Sequence, residues 1–301
     1  MLDILIIGGG PAGLTAGIYA SRGGAKCAIL ESNAIGGQAS VTPDIENYPG
    51  IDSISGFDLT YKMMKQCEHF GVEFIFSNFS KIDLISEIKT VTLADGKIVE
   101  AKSVIIATGA SARKLQVENE DKFLGRGISY CATCDGAFFR GKTVAVVGGG
   151  NTAVEDALYL SSLAKTVYLI HRRNELRATE ILSKRIAESD VKIVWDSVVT
   201  KLDGNTKLTE VTLNNVKTNT STPLLVDGLF VAVGQKPMSL GFDGLALTPD
   251  GYAITDENMA SNLSGVFVAG DIRQKALRQI VTAAADGAIA ANSALSFVDK
   301  H

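Results

Sequence analysis

The sequence predicts an α/β protein built on two copies of one strand–turn–helix–strand unit, and three observations carry that prediction. Two short apolar runs, Ile4–Ile7 and Thr143–Val147, each lead directly into a glycine-rich turn. Each turn is followed by a helical stretch, to about Arg22 in the first copy and about Leu163 in the second. The composition, 46% hydrophobic and 21% charged with 30 glycines, is that of a soluble α/β chain.

The bulk properties exclude several classes of protein. A chain of 301 residues is long enough for roughly two domains. Its net charge of -4 provides no basic field for nucleic acid. No apolar run approaches the ~20 residues that cross a bilayer, and the N-terminal run lacks the basic lead-in and cleavage site of a signal peptide. We therefore expect a cytoplasmic protein that binds neither nucleic acid nor a membrane.

The first unit has the pattern of a dinucleotide-binding turn. After its opening glycine, a second glycine lets the backbone approach a pyrophosphate, and a third lets the helix pack closely on the strand. The phosphates then lie over free N–H groups at the helix N-terminus. The next strand, Cys27–Leu30, ends at Glu31, whose carboxylate can accept hydrogen bonds from the ribose hydroxyls of FAD or NAD. The candidate contacts in this unit are Gly8, Gly10, Pro11, Ala12, Gly13 and Glu31.

The second unit differs where the adenosine ribose should lie. Its second strand, Val167–Ile170, runs into basic residues where the first unit has an acid. Guanidinium groups bind a 2′-phosphate through charge-assisted hydrogen bonds, which favours NADPH over NADH. The alternative is that these arginines are only solvated surface charge. The candidate contacts are Gly148, Gly150, Asn151, Thr152, Ala153, His171, Arg172, Arg173 and Arg177.

A C-x-x-C pair, Cys131 and Cys134, lies shortly before the second unit. Its spacing allows a disulfide, and Asp135 directly follows it as a possible proton relay. With three histidines in the chain and no second C-x-x-C, we expect no metal site. A structural disulfide or half of a metal site remains the alternative.

The two nucleotide-binding units and the cysteine pair together predict a flavin. A nicotinamide alone is a poor direct reductant of a disulfide, so the first unit is expected to hold FAD as the intermediary. Two further apolar strands end in small residues or an acid, where ligands of parallel sheets bind. They supply the candidate flavin contacts Ala107, Thr108, Gly109, Gly270 and Asp271. A role for Asp271 as a helix N-cap is the alternative, and the two roles are compatible.

Taken together, these motifs resemble the low-molecular-weight thioredoxin reductases over essentially the whole chain. The match includes Cys131–Asp135, the second glycine turn, His171-Arg172-Arg173, and Gly270-Asp271 followed by Arg278-Gln279. Further segments match those that line the flavin in that family, and they add Gly36, Gly37, Gln38 and Asn47 as candidate contacts. Two departures lie beside the flavin segment, where Ala276-Leu277 replaces a common aromatic and Ile280, itself a candidate contact, replaces a small residue.

The resemblance implies a domain arrangement that the spacing does not show. Two Rossmann-like dinucleotide-binding domains are expected, with an NADPH domain (113–239, carrying the cysteine pair) inserted into a discontinuous FAD domain (1–112 and 240–301). The hinges are expected near Ala110–Lys114 and Gln235–Ser239. The family is homodimeric, and its two domains rotate relative to one another during turnover.

The resemblance also implies the chemistry, which is reduction of thioredoxin by NADPH. Cys134 would face the flavin, Cys131 would attack the thioredoxin disulfide, and Asp135 would act as acid and base. Arg126 and Phe138-Phe139 match places where family members contact thioredoxin. Two alternatives stay open: the same chemistry serving a glutaredoxin-like or peroxidase-linked dithiol protein, and a redox-sensing protein without turnover.

Overall fold

The computed structural model describes residues 1–42, 45–239 and 241–300. The chain forms two compact units, Met1–Ser111 with Lys236–His301 (unit 1) and Ala112–Gln235 (unit 2). The expected boundaries therefore move by one residue at the first crossing and by four at the second. Leu240, where the expected second segment of the FAD domain begins, lies outside the described residues.

The regular elements alternate between strands and helices along much of the chain. In chain order the strands are β1 (Leu2–Ile7), β2 (Cys27–Glu31), β3 (Glu73–Phe76), β4 (Phe79–Asp83), β5 (Lys89–Leu93), β6 (Ile98–Ile106), β7 (Ala110–Ala112), β8 (Ile128–Ser129), β9 (Thr143–Gly148), β10 (Thr166–Ile170), β11 (Lys192–Val194), β12 (Ser197–Gly204), β13 (Leu208–Asn215), β14 (Ser221–Leu225), β15 (Gly228–Ala232), β16 (Gln235–Pro237) and β17 (Val266–Val268). The helices are α1 (Pro11–Arg22), α2 (Gly56–His69), α3 (Glu120–Phe123), α4 (Ala132–Asp135), α5 (Asn151–Ser161), α6 (Glu180–Ala187) and α7 (Ile280–Val298), with 3₁₀ turns at Gly37–Val41, Gly136–Phe139 and Gly270–Ile272.

Unit 1 is built on a sheet with the order β3-β2-β1-β6-β5-β4, in which β17 also pairs with β6. The long strand β6 joins two kinds of sheet. Its first half pairs antiparallel with β5, with Ala101 opposite Lys89, and its second half pairs parallel with β17, with Val104 opposite Val266. Strand β1 is almost entirely buried. Its continuous apolar run suits a parallel strand that is covered on both faces. The carboxyl ends of β1, β6 and β17 therefore meet at one edge.

Helix α7 is the one helix among the described residues long and apolar enough to cross a membrane. This finding corrects the expectation that no apolar segment reaches that length. The helix instead packs in the core of unit 1, where Ala290, Ala291 and Ala294 are fully buried. A Cβ added at Gly287 would lie 2.1 Å from the Ala12 carbonyl oxygen, so α7 and α1 are in close backbone contact. Small residues on both helices make that contact possible.

Unit 2 has a five-stranded sheet with the order β11-β10-β9-β15-β8, parallel throughout. Helix α5 follows β9 and packs on β9 and β10, and a separate antiparallel meander is formed by β12, β13 and β14. Helix α5 ends at Ser161, two residues before the expected Leu163. The predicted fold class, α/β with two Rossmann-type units, is confirmed. The two crossings between the units are the short strands β7 and β16, which pair with each other.

Candidate functional site

The glycine turn of unit 1 separates glycines that the fold needs from a glycine that it does not need. A Cβ at Gly8 would lie 2.4 Å from the Ala107 carbonyl oxygen, and one at Gly13 would lie 1.8 Å from the Gly8 carbonyl oxygen. A Cβ at Gly10, the N-cap of α1, would meet nothing within 4 Å. No contact among the described residues therefore demands glycine at position 10. The open space beside the first N–H groups of α1 fits the close approach of a phosphate.

Glu31 lies at the end of β2 and braces this turn. Its Oε2 accepts a hydrogen bond from the Gly9 N–H at 2.7 Å, and its Oε1 accepts one from the Asn33 N–H at 2.8 Å. Gly36 donates its N–H to the Gly9 carbonyl at 2.8 Å, and a Cβ at Gly37 would lie 3.3 Å from Gly10 Cα. The matched segment Gly36–Gln38 is therefore brought against the turn, as expected for a segment that lines the same site.

The end of β6 approaches the turn through its backbone. The Ala107 N–H donates to the Ile7 carbonyl at 2.7 Å, which continues the β1–β6 pairing to the edge of the sheet. Thr108 Oγ1 donates a hydrogen bond to the Met238 carbonyl at 2.7 Å, so its proton is used within unit 1. Gly109 adopts φ +72°, where glycine is favoured. The backbones of Ala107 and Thr108 both lie against Gly8 of the glycine turn, whereas no described contact places Gly109 there.

Asp271, at the tip of β17, carries a buried atom with no hydrogen-bond partner. Its Oδ1 is shielded from solvent and accepts no hydrogen bond from the described residues, although Lys275 Nζ lies 3.9 Å away. Burial raises the pKa of Asp271, and the positive charges of Lys275 and Arg278 oppose that rise. Asp271 is not the N-cap of α7, because Gln279 occupies that position and forms a capping box with Thr282. An orphaned carboxylate oxygen fits a ligand that supplies a hydroxyl.

An ionic cluster that the sequence did not indicate supports Asp271. Asp286, on α7, accepts a hydrogen bond from the Gly270 N–H at 3.1 Å and pairs with Arg273 at 3.1 Å and with Lys275 at 2.8 Å. The Lys275 side chain is only 8% exposed. The one available signal was a lone acid in an otherwise apolar helix, since its partners come from a loop whose path the sequence does not reveal.

The remaining flavin candidates surround the start of α7. Asn47 Nδ2 donates to Gln279 Oε1 at 3.0 Å, which joins two segments 232 positions apart. The Arg278 guanidinium stacks over the Tyr252 ring at 4.1 Å from its centroid. Ile280 is the first residue of α7 and is half-buried against the core. The structure thus brings the separate candidate segments of unit 1 together around the carboxyl edge of its sheet.

The glycine turn of unit 2 repeats the design of the first. A Cβ at Gly148 would lie 2.5 Å from the Ala232 carbonyl oxygen and 2.6 Å from Ala153 Cβ, whereas one at Gly150 would meet nothing within 4 Å. Asn151 Oδ1 accepts a hydrogen bond from the Thr179 N–H at 2.9 Å and so anchors the start of α6. Thr152 is exposed on the first turn of α5. The open position again lies at the helix N-cap.

The three arginines after β10 line one cavity of about 530 Å³ in unit 2. All three are exposed, and no carboxylate of the described residues forms an ion pair with any of them. Residues 172–177, which carry the three arginines, are called the arginine loop. The Arg177 N–H donates to the Gly149 carbonyl at 2.7 Å, so this loop is fixed to the glycine turn. Unpaired guanidinium groups gathered at the turn are the arrangement expected for a phosphate-binding site.

His171 is buried at the base of the arginine loop. It is 6% exposed, and its ring fills the space above Gly149, where a Cβ would lie 2.2 Å from ring atoms. Its Nε2 lies 3.0 Å from the Glu175 carbonyl oxygen. Burial lowers the pKa of His171, and Arg173 and Arg177 add to that effect. The imidazole therefore shapes the arginine loop as a neutral group and does not supply a cation.

The cysteine pair forms a disulfide at the start of α4. Cys131 and Cys134 are bonded with their Cα atoms 5.3 Å apart, and both are half-buried. Ser129 fixes the entry to the pair, because its hydroxyl accepts from the Cys131 N–H at 3.0 Å. The other two cysteines, Cys27 and Cys67, are free and buried, and burial raises their pKa values to about 11 and about 12. The accessible sulfur chemistry is therefore confined to the C-x-x-C pair.

Asp135 lies directly behind the pair. Burial raises the pKa of its carboxyl, and a hydrogen bond with Ser129 opposes that rise. A carboxyl with a raised pKa is better matched to proton exchange near neutral pH.

Of the residues matched to the thioredoxin contact, Arg126 and Phe138 are exposed, whereas Phe139 packs edge-on against Phe230 at 5.2 Å. Within the described residues, no group of three or more His, Cys, Asp or Glu side chains has the arrangement of a metal site.

Two dinucleotide-type turns and an accessible disulfide define a pyridine nucleotide-linked disulfide oxidoreductase. The profile of the pyridine nucleotide-disulphide oxidoreductase family matches residues 2–287. Within that family, the chain belongs to the thioredoxin reductases. It is 44% identical over 301 residues to the thioredoxin reductase of Listeria monocytogenes, covering 99% of this chain and 94% of that protein. The corresponding protein of Bacillus subtilis is 42% identical over 301 residues, covering 99% and 95%.

The structural comparison agrees with the sequence comparison. The crystal structure of thioredoxin reductase from Streptococcus pyogenes superposes with a TM-score of 0.94 at 46% identity, covering 100% of this chain and 99% of that chain. The thioredoxin reductase of Giardia duodenalis superposes with a TM-score of 0.93 at 36% identity, covering 99% of both chains. The similarity to both structures therefore extends over essentially the full length of the chain.

Proposed function

We propose that this protein reduces the disulfide of thioredoxin with electrons from NADPH, through FAD and the Cys131–Cys134 pair. The observation that carries the proposal is an accessible C-x-x-C disulfide in a chain with two complete dinucleotide-type turns. One turn suits the oxidisable coenzyme and the other a resident flavin. Relatives named thioredoxin reductase, at 42% and 44% identity over nearly the whole chain, support the choice of partner.

Unit 1 holds the FAD in this proposal. Gly10 would leave room for the pyrophosphate, and Asp271 Oδ1 would accept a hydrogen bond from a hydroxyl of the cofactor. Ala107 and Gly37 limit the width of the site by backbone contact. A bound FAD would supply the two-electron chemistry that links NADPH to the disulfide.

Unit 2 binds NADPH. Its pyrophosphate lies over the N-terminus of α5 beside Gly150, and the 2′-phosphate is held by Arg172, Arg173 and Arg177. His171 keeps the loop in place as a neutral group. Unit 1 has a carboxylate, Glu31, at the equivalent position, which would repel a 2′-phosphate. The two units therefore accept different nucleotides.

The sulfur chemistry is a pair of thiol–disulfide exchanges. Two electrons open the Cys131–Cys134 bond to a dithiol, and the thiolate of Cys131 attacks the thioredoxin disulfide to form a mixed disulfide. Cys134 then attacks the Cys131 sulfur, which restores the internal disulfide and releases reduced thioredoxin. Asp135 gives and takes the proton that accompanies these steps. Overall, NADPH, one proton and a disulfide become NADP⁺ and a dithiol.

The proposal extends to the setting in which the enzyme works. We propose a homodimer in the cytoplasm, with FAD in unit 1 and NADPH and the cysteine pair in unit 2. Support comes from the likeness to thioredoxin reductases over the full chain. Light scattering of the purified protein measures the molecular mass, and a value near that of a single 31.8 kDa chain would contradict the dimer.

The decisive experiment is NADPH oxidation by the purified yellow protein with thioredoxin as acceptor. We expect Cys131→Ser and Cys134→Ser each to lower thioredoxin turnover by about a thousandfold or more, because either change removes the disulfide. Cys27→Ala, at a buried free cysteine, is the matched control and should keep the wild-type rate.

Three outcomes would contradict the proposal in different ways. Full turnover by Cys131→Ser would refute the role of the pair. A higher kcat/KM with a glutaredoxin-like or peroxidase-linked dithiol protein would keep the chemistry and change the partner. A single slow reduction without cycling would indicate a redox sensor.

A further inference from the structure

The cavity lined by the arginine loop has a second wall that the nucleotide motifs do not account for. Besides Arg172, Arg173 and Arg177, its lining includes Asp196, at the turn before β12, and Lys217, in the hairpin between β13 and β14. Asp196 and Lys217 form an ion pair with an N–O distance of 2.9 Å. The cavity lining therefore combines cations from two separate parts of unit 2 with two acidic residues, Glu175 and Asp196.

Asp196 is held rigidly in that wall by its backbone. Its N–H donates to the Arg173 carbonyl at 3.2 Å, and its own carbonyl accepts from the Val216 N–H at 2.7 Å. Its φ of +52° lies in the left-handed region, which Asp and Asn tolerate better than most residues. Its side chain is 17% exposed. A fixed, largely buried carboxylate at this place would repel a dianionic phosphate in the cavity.

Lys217 is the more exposed half of the pair. Its backbone is anchored, because the Lys217 and Thr218 N–H groups both donate to Asn215 Oδ1, at 3.0 and 3.1 Å. Its side chain is 59% exposed, so the ammonium group can change partner by rotation about its own bonds. An anchored backbone with an exposed side chain places a positive charge at the rim of the cavity.

We propose that Lys217 is a specificity-determining residue for the 2′-phosphate of NADPH and that Asp196 is its partner when the phosphate is absent. Lys217 neutralises Asp196 in the free protein and turns to the phosphate when NADPH binds. The pair thus makes the cavity tolerant of an anion and adds a fourth cation to the arginine loop. This inference rests on the proposed use of NADPH.

The test compares two substitutions that alter the pair in opposite directions. Lys217→Met removes the cation and exposes the Asp196 charge, so we expect the NADPH-to-NADH ratio of kcat/KM to fall by about fivefold. Asp196→Asn removes the competing carboxylate, keeps the side-chain shape and suits the positive φ. It should leave the ratio unchanged or raise it by about twofold.

Calorimetry with the intact protein supplies a readout that is independent of turnover. We expect Lys217→Met to weaken binding of 2′,5′-ADP by a similar factor, and to leave binding of 5′-AMP unchanged, because 5′-AMP lacks the 2′-phosphate. The loss of 2′,5′-ADP affinity and the fall in the NADPH-to-NADH ratio should both become smaller at high salt. The controls are Lys201→Met and Asp203→Asn, which break an ion pair of 2.7 Å on β12, outside the cavity lining. Lys201 is as exposed as Lys217, at 61% against 59%, whereas Asp203 is more exposed than Asp196, at 36% against 17%.

The outcomes separate this inference from the proposed function. Lys217→Met with an unaltered coenzyme ratio, or with equal losses for both coenzymes, would overturn the inference. A fall in the ratio on Asp196→Asn would overturn the charge mechanism. Replacement of the three arginines tests the proposed clamp itself: if that lowers the ratio and Lys217→Met does not, NADPH use stands and the role of Lys217 fails.

Discussion

The two glycine turns of this chain share one backbone design and differ in what covers it. In each turn, the first glycine lies against a carbonyl of a neighbouring strand, Ala107 in unit 1 and Ala232 in unit 2. In each, the residue at the end of the second strand covers the middle glycine. Glu31 does so with a carboxylate that accepts the Gly9 N–H, and His171 does so with a neutral ring packed on Gly149. In the proposed function, the shared backbone provides the phosphate site and the residues after the second strand select the nucleotide.

The largest expected effect on the choice of coenzyme comes from removing the charge that distinguishes the two turns. Replacing Arg172, Arg173 and Arg177 together with Gln should raise the KM for NADPH by about 100-fold and change that for NADH little, since charge-assisted hydrogen bonds to a phosphate are lost. Steady-state kinetics with both coenzymes measure the effect. Equal effects on the two KM values would show that these arginines are only solvated surface charge.

The second comparison concerns the position that is open in both turns. Gly10→Ala should weaken FAD binding, and Gly150→Ala should raise the KM for NADPH, each by roughly tenfold, because the added methyl group occupies the space of the phosphate. The apoprotein should lose no more than about 1 kcal/mol of stability, the cost of alanine at an N-cap. Fluorescence titration with FAD, coenzyme kinetics and thermal unfolding give the three measurements.

Gly13→Ala is the contrasting variant for that pair. Its Cβ would lie 1.8 Å from the Gly8 carbonyl oxygen, so the protein should be destabilised by several kcal/mol even without ligand. If Gly10→Ala destabilised the apoprotein as much as Gly13→Ala, position 10 would be required by the fold, and the separation drawn between these glycines would be wrong.

A smaller effect is expected at Lys275, which has no counterpart in the arginine loop. Burial already raises the pKa of Asp271, and Lys275→Met removes a charge that opposes the rise. The carboxylate is then protonated at a higher pH, so FAD affinity should fall by about threefold to tenfold near pH 6 and recover toward pH 9. Titration of the apoprotein with FAD across that range gives the profile.

Arg273→Met provides the control for this effect. It removes a partner of Asp286, as Lys275→Met does, and leaves the Lys275–Asp271 pair in place. The wild type and this control should show a flatter pH profile than Lys275→Met. Identical profiles for the two variants would mean that Lys275 acts only through Asp286.

Local patterns predicted the parts of the site that lie along the chain. The turns after β1 and β9 were found because an apolar strand, a glycine pattern and a helix must follow one another within a few residues. The Asp286 cluster and the Asp196–Lys217 pair were missed, since their members lie on different elements and no local pattern connects them. The packing of the His171 ring on Gly149 was missed for the same reason, because it depends on the path of the folded loop.

Because β7 pairs with β16, the chain enters and leaves unit 2 at neighbouring points. The two ends of the 112–235 segment are thus close enough for a short linker to join them with little loss of entropy. A gene encoding this segment alone, or a circularly permuted form opened elsewhere, should therefore yield a folded module. Such an arrangement would allow the 112–235 segment to be inserted into another domain without disturbing the sheet of that domain.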